Sequence, residues 1–548
     1  MNAPWSTSAR FGLPDSDQGP SPWSSDGIIR EELFSIERLE QHAASLATAQ
    51  RVTARPGPGK SLHSRLRQNE AQLLAAYRSL AGVVSGDGFV TPAADWFVDN
   101  FHQVEAQITQ IHDDLPPRYY RQLPKLAEGP LVGFPRVFGM AWACIAHSDS
   151  RFDSETLRRF VIAYQQVEAL TIGELWAIAI TLRIVLVENL RRAVDRIVES
   201  RQALGAADGV ADRLLGVGIA KRDPDALKNH HATGAVFSPT FVVQLVKRLR
   251  DQDPHVTPAL RWVESLLVGQ GTSAEQLVHD EHQRQGASNV TVRNIITSMR
   301  LISDVDWADF FEAVSPIDRV LRERSAFNAM DFATRNLYRS AIEELARGSD
   351  HSEIEVAVAA LDQARSGGAA GPRECDPGYW LVARGRRRFE RSLGYRAALR
   401  DWPRRLDASM GPVAYFCAVA VLTATVLAVP LHLLADQSVA DSRLWLLGLL
   451  GLVPALDAAL ALVNRAVTRG IGATMLPGLA LADGVPDPLR TMVVVPTLLT
   501  TPAAIGALIE RLEVHYLASG PGELYFALLT DWTDAIAAHA SDDEALID

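Results

Sequence analysis

Apolar residues recur at helical spacing from Ile28 to about Leu399. In the first segment Leu33, Ile36, Leu39, Ala43 and Leu46 form one stripe, and RPGPGK then breaks it. The pattern resumes from Leu62 to Val84 through Leu66, Leu73, Leu74 and Leu80. Thr91 and Pro92 read as the N-cap and first position of a helix reaching His112, with Trp96, Phe97, Phe101, Val104 and Ile108 on its apolar face. From Asp113 to Gly139 the prolines at 116, 117, 124, 130 and 135 exclude a continuous helix. Arginines and aromatics alternate there, as in a binding loop or a packed connector.

Thr171 to Leu204 is an apolar helix of nearly membrane-spanning length. Glu174 and Arg183 argue against a crossing, since a charge at mid-membrane costs about 2.5–3.5 kcal/mol. It reads as the central helix of a bundle, whose two inward charges need partners in an ion pair or in catalysis. Further helices are predicted at 239–251, 257–268, 274–285, 290–303, 306–314, 316–325, 335–347 and 352–364. GGAAGPRECDP, from Gly367, is a flexible turn. An arginine-rich helix, Tyr379 to Leu399, follows it, with Tyr379, Trp380, Phe389 and Tyr395 expected at a membrane interface.

The pattern changes at Gly411. GPVAYFCAVAVLTATVLAVPLHLLA is uncharged, and LWLLGLLGLVPALDAALALV, from Leu444, carries only Asp457. Each is as long as the roughly 20 residues that cross a bilayer. The loop from Asp436 to Arg443 is too short for a domain, so the two form an antiparallel transmembrane hairpin rather than a pair of buried soluble helices. Nine arginines between Arg384 and Arg405 precede the first span, and Arg465 and Arg469 follow the second. Positive flanks stay inside, so both chain ends are expected in the cytoplasm. Asp457 would line a water-filled path or bond a neighbouring helix.

Beyond an expected interfacial segment, Asn464 to Leu481, the period changes again. Thr491 to Val495 is a short β-branched strand ended by Pro496 and Thr497. Thr501 and Pro502 open a helix to about Ala518, and Leu524 to Leu529 is a second strand closed by Thr530 and Asp531. This is a βαβ unit, whose strand C-termini and helix N-terminus converge where nucleotides bind. The fold class is therefore mainly α: a helical domain (28–377), a basic juxtamembrane helix (378–409), the hairpin (410–463, spans 411–435 and 444–463), a linker (464–490) and the βαβ region (491–548).

Composition sharpens this outline. The 548 residues allow about three domains. A net charge of −11 argues against general nucleic-acid binding, although the local arginine run suits anionic lipid headgroups. Cys144, Cys375 and Cys417 are far apart and form no CxxC, which fits a reducing compartment. Residues 1–27 lack an apolar core for a signal peptide and are rich in Ser, Pro, Gly and Asp, so they are expected to be a disordered lead. His230 and His231 are an isolated pair. His279 and His282, three apart, would either chelate a metal or lie on a solvated charged face; no third ligand is marked nearby.

VVVPTLLTTPAAIGALIERLEVHYLA together with FALLTD resembles the opening of the glycosyltransferase domain of cyclic β-1,2-glucan synthases, bacterial inner-membrane enzymes. The resemblance extends back through EELFSIERLEQHA, WFVDNFHQVEAQI, LTIGELWAIAITLRIVLVENLRR and DPGYWLVARGRRRFERSLGYR, and covers about residues 28 to 540. It implies a Rossmann-like A-type transferase using UDP-glucose and a divalent cation, Mg or Mn. Pro496 and Thr497 would border the uridine, and Asp531 would accept a hydrogen bond from uracil or ribose. It also implies self-glucosylation of a tyrosine, for which Tyr379, Tyr395 and Tyr516 are candidates. No catalytic or metal-binding residue of the family's later motifs is matched within these residues. The chain is therefore expected to be an N-terminal membrane-anchoring and nucleotide-binding portion, inactive unless a second, downstream-encoded chain completes it. The alternative is a non-enzymatic membrane-anchored helical scaffold. Expected partners are inner-membrane lipids and a nucleotide sugar, with no nucleic acid.

Overall fold

The computed structural model describes residues 27–534, apart from 54–56, 58, 85–90, 218–221, 233–237, 251–256, 270–272, 367–370, 372, 398–411, 437–439 and 471–474, and also residue 546. Residues 1–26 of the expected disordered lead lie outside the described residues, as do the last arginines before the hairpin and the middle of the loop between its spans. The chain divides into two compact units, residues 1–315 and 316–548.

The first unit is entirely helical among its described residues. Its helices are α1 (Ile36–Ala49), α2 (Leu62–Val84), α3 (Pro92–Asp99), α4 (Phe101–Asp114), α5 (Pro117–Gln122), α6 (Arg136–His147) and α7 (Ser154–Gln165). There follow α8 (Ile172–Leu215), α9 (Ala226–Ala232), α10 (Pro239–Leu249), α11 (Thr257–Gly269), α12 (Ala274–Asp304) and α13 (Trp307–Val314). α8 is the axis of the unit. A capping box starts it, in which Thr171 Oγ1 accepts from the Glu174 amide and the Glu174 carboxylate accepts from the Thr171 amide. Gly216 ends it at φ 69°, a left-handed conformation that glycine adopts without a Cβ penalty. Between these ends α8 is buried on all sides from Ala177 to Val194, as the sequence pattern predicts for a bundle's central helix.

The inward charges of α8 all find partners. Arg136 donates to Glu174 through Nε at 2.8 Å and Nη2 at 2.6 Å. Arg183 donates from Nε to Gln107 Oε1 at 2.9 Å, so Glu174 and Arg183 do not pair with each other. The proline-rich stretch 113–139 is a packed connector: Tyr120, Phe134 and Phe138 are buried, and Lys125 donates from Nζ to the carbonyls of Tyr120 and Leu123. Several predicted boundaries move, among them the end of α8, which runs to Leu215 rather than Leu204. The helix expected from 93 to 112 breaks at Asn100, the shared cap of α3 and α4. The helices expected at 274–285 and 290–303 are one helix, α12, because only Gly286 interrupts the pattern and an internal glycine costs only about 1 kcal/mol.

The second unit holds α14 (Pro316–Arg324), α15 (Phe332–Arg347), α16 (Glu353–Ser366), α17 (Pro377–Leu381), α18 (Arg386–Ser392), α19 (Pro412–Ala435) and α20 (Asp441–Gly470), then β1 (Thr491–Leu499), α21 (Pro502–Ala518) and β2 (Leu524–Trp532). Its first helices pack around Asp318, which is fully buried and held by Arg339. The arginine-rich stretch after 378 is not one amphipathic helix. α17 and α18 are separated at Gly385, where an added Cβ would lie 2.6 Å from the Tyr379 ring. Trp380 and Phe389 are buried in the unit rather than laid on a surface, and Arg386 is paired with Glu344 and Glu390. The expected interfacial position of these aromatics is thereby corrected: their apolar rings find a protein core close at hand.

Candidate functional site

α19 and α20 are long and apolar enough to cross a membrane. Tyr415 Oη, near the start of α19, donates to Asn464 Oδ1, near the end of α20, at 2.8 Å, which fixes the pair as an antiparallel hairpin. Their seam is narrow. Val419, Ala459 and Val463 are buried in it, and a Cβ on Gly451 would lie 2.9 Å from Leu427 Cδ1. Small residues allow this approach. The remaining apolar surface is bare: Trp445 is 82% exposed and Val453 73%, whereas the core helix of a soluble protein would bury such side chains. Asp457 lies exposed on α20 between the buried Ala455 and Ala459, so α19 does not cover it.

α20 continues to Gly470, through the start of the expected interfacial segment. The chain then returns to the helical part of the unit. Leu479 bridges Met330, the Asp331 amide donates to the Gly478 carbonyl at 3.1 Å, and the Ala480 amide donates to the Ala329 carbonyl at 2.9 Å. Gly478 also donates to Thr334 Oγ1 at 2.7 Å. This strap lies two residues before Leu481, within the stretch expected at the interface. No hydrophobic period marks it, because extended backbone pairing leaves no helical stripe in a sequence.

The βαβ unit forms as the pattern predicts, with β1 and β2 parallel and in register from Thr491 opposite Leu524 to Leu499 opposite Trp532. Thr501 Oγ1 accepts from the Ala504 amide, and Pro502 occupies the first helical position. Both strands outrun their predicted ends. Pro496 and Thr497 lie within β1, opposite Leu529 and Thr530, and Thr530 and Asp531 lie within β2. A proline is tolerated in an edge strand where its missing N–H faces away from the partner, so Pro496 does not stop this one.

The register separates the three residues expected at the nucleotide. Side chains alternate between the faces of a strand. Tyr516 of α21 packs edge-on against Phe526, so α21 covers the face that carries Thr497, Leu499 and Thr530. Pro496 and Asp531 belong to the opposite face. The structure therefore brings Pro496 and Asp531 to one side of the strand ends and leaves Thr497 on the other. Asp531 is exposed, and its Oδ1 accepts from the Trp532 amide at 2.8 Å. The face around it is apolar and bare, with Met492 62%, Leu498 54% and Leu529 62% exposed. At the other end of the strands Gly484 and Gly522 have φ of 90° and 117°, and a Cβ on either would collide with backbone of the facing turn. Arg490 pairs there with Glu523 and Asp487.

No group of three or more His, Cys, Asp or Glu suited to a metal ion occurs among the described residues. His279 Nε2 instead meets the Gln283 amide nitrogen at 2.9 Å. Among the described residues no such group forms around Asp531.

A helical chain with an apolar hairpin and a parallel βαβ unit after it defines a membrane-associated protein with a small α/β element. Over 532 residues, 95% of its length, the chain is 37% identical to the cyclic beta-(1,2)-glucan synthase NdvB of Rhizobium meliloti (strain 1021). The chain spans 18% of that protein's length. No family model matches it.

Proposed function

We propose that this chain is the membrane-anchoring and donor-binding portion of a cyclic β-1,2-glucan synthase that uses UDP-glucose. The observation that carries this reading is identity to such a synthase along nearly the whole chain, hairpin and βαβ unit included. The hairpin holds the protein in a bacterial inner membrane with both of its flanks in the cytoplasm, where nucleotide sugars are made. The uracil or ribose rests at the C-terminal ends of β1 and β2, with Asp531 accepting a hydrogen bond and Pro496 beside it on the same face. Thr497, turned to the face under α21, supports the strand end rather than touching the base. Transfer of glucose needs a base on the attacking hydroxyl and a divalent cation on the leaving diphosphate, and both come from residues outside those described here. The bare apolar face of the sheet supports this, since parallel sheets are covered on both faces when complete.

The test is made on membranes containing this chain alone, supplied with radiolabelled UDP-glucose. The nucleotide is retained, Asp531→Ala weakens its retention by about tenfold, as expected for a hydrogen bond to a charged group, and no glucan forms. Glucan synthesis by these membranes, or retention that ignores Asp531→Ala, would overturn the assignment.

A further inference from the structure

The helical unit contains a cavity of about 510 Å³ between α2, α3, α8, α10 and α12. This is the size of a small-molecule site. Arg196 and Arg201 reach its wall from α8, and Arg284 from α12. One turn earlier on α8, Arg191 and Arg192 are both held by Glu188. Among the described residues Arg196 and Arg201 make no hydrogen bond and no ion pair. Glu199 also lines the cavity but, among the described residues, pairs with neither arginine, so a bound anion lowers the repulsion between the two guanidiniums.

The rest of the wall fits an anion that also carries hydroxyl groups. Glu281 is buried, and its carboxylate is already engaged by Thr240 Oγ1 at 2.9 Å and the Gln285 amide at 3.1 Å. Arg284 lies 3.8 Å from the same carboxylate. The first turns of α3 and α10 face the cavity and add the positive ends of two helix dipoles. Their leading amides are taken by Asn289, Thr91 and Ser238, so the guanidiniums are what is left to bind charge. Ser200 and Ser288 on the wall offer hydroxyls to a polyol, and Leu80, Ile197 and Leu204 supply an apolar side.

We propose that this cavity binds a phosphorylated sugar, its phosphate held by Arg196 and Arg201. The site belongs to the helical unit and uses none of the residues of the βαβ unit. Arginine suits phosphate because its planar fork presents paired donors.

Calorimetric titration of the full chain in detergent tests this with glucose 6-phosphate, inorganic pyrophosphate and glucose as probes. Glucose 6-phosphate binds saturably and pyrophosphate competes with it, whereas glucose does not bind. Arg196→Gln with Arg201→Gln weakens binding at least tenfold. The thermal midpoint of the free protein is unchanged, because neither guanidinium holds the fold together. Should the double variant melt early, the two single variants carry the same comparison. The proposal fails if glucose 6-phosphate does not bind at about 10 mM, if glucose binds as tightly as its phosphate, or if the variants bind like the parent.

Discussion

Glu188 sits fully buried on α8 among three guanidiniums. It accepts from Arg65 at 3.0 Å, Arg191 at 3.1 Å and Arg192 at 2.7 Å, and from Asn69 at 2.8 Å. Burial opposes its ionisation, yet the hydrogen bonds and charges of Arg65, Arg192 and Arg191 hold its carboxyl down at about 2. Glu188→Gln removes the carboxylate that three guanidiniums share, with only Asp195 still paired to Arg191, and removing one side of a buried pair costs about 3–5 kcal/mol. Denaturant unfolding of the solubilised chain should show that loss, whereas Arg158→Gln, at an exposed pair with Glu155, should cost under about 1 kcal/mol. A second residue-scale device ties the N-terminal segment to α6. His147 stacks on Phe34 at 3.9 Å, lies 3.2 Å from the Glu31 carboxylate, and bonds the Glu32 carbonyl. Burial lowers the imidazole's affinity for a proton, but the hydrogen bond and charge of Glu31 outweigh it and raise His147. Glu31 is lowered, chiefly by its hydrogen bond to His147. The raised histidine contributes stability in full below about pH 6.5 and loses it as pH rises through its folded value. The lowered carboxylate contributes above about pH 4.3 and loses it as pH falls through its own. The attachment is therefore tightest between those limits. Hydrogen exchange at the Glu31 and Phe34 amides, which bond the carbonyls of Ala146 and His147, should report it. Their protection falls on the alkaline side by an amount worth less than about 1 kcal/mol, because Glu31 is over half exposed, and His147→Phe removes that dependence.

At the scale of elements, what could be read from the sequence was what is local. Thr91 with Pro92 and Thr501 with Pro502 were legible as helix starts because cap chemistry acts within three residues. Thr501→Ala should therefore destabilise α21 by about 1 kcal/mol, seen as faster exchange of the Ala504 amide. The hairpin was equally legible, since an uncharged run of spanning length has few soluble explanations. Contacts distant in sequence were hidden. Nothing near Glu174 marks Arg136 as its partner, and nothing near Gly478 marks the strap onto Asp331 and Thr334. Strand ends were misplaced for a related reason: Pro496 looks like a terminator in one dimension, and only the pairing with Leu529 shows that β1 passes through it. That shift matters to the candidate site, because carrying the strand through Thr497 to Leu499 decides which face Thr497 occupies.

At the scale of the whole molecule, topology is the claim most open to direct test, and the three cysteines are placed to read it. Cys375 is exposed and lies ahead of the hairpin, Cys417 lies within α19, and Cys144 is buried. Burial pushes the Cys144 thiol up to about 12, so it forms little thiolate and stays unreactive. Tyr516 of α21 is 61% exposed and accepts a reporter, Tyr516→Cys, without disturbing a core, since no residue of that helix is buried. If α19 and α20 both cross, they return the chain to the side it left, and Cys375 and the reporter share one compartment. On the proposed orientation, which the arginine-rich flanks favour, that compartment is the cytoplasm. A membrane-impermeant maleimide should then label both positions in inverted inner-membrane vesicles and neither in intact spheroplasts. If α19 crosses the membrane, Cys417 within it is out of reach of an impermeant reagent and should react in neither preparation until the membrane is dissolved. Labelling of Cys375 and the reporter from opposite sides would mean that only one of α19 and α20 crosses, and the βαβ unit would then lie across the membrane from Cys375. Labelling of both from outside would keep the hairpin but reverse it, and would remove the cytoplasmic supply of UDP-glucose on which the proposed donor site depends.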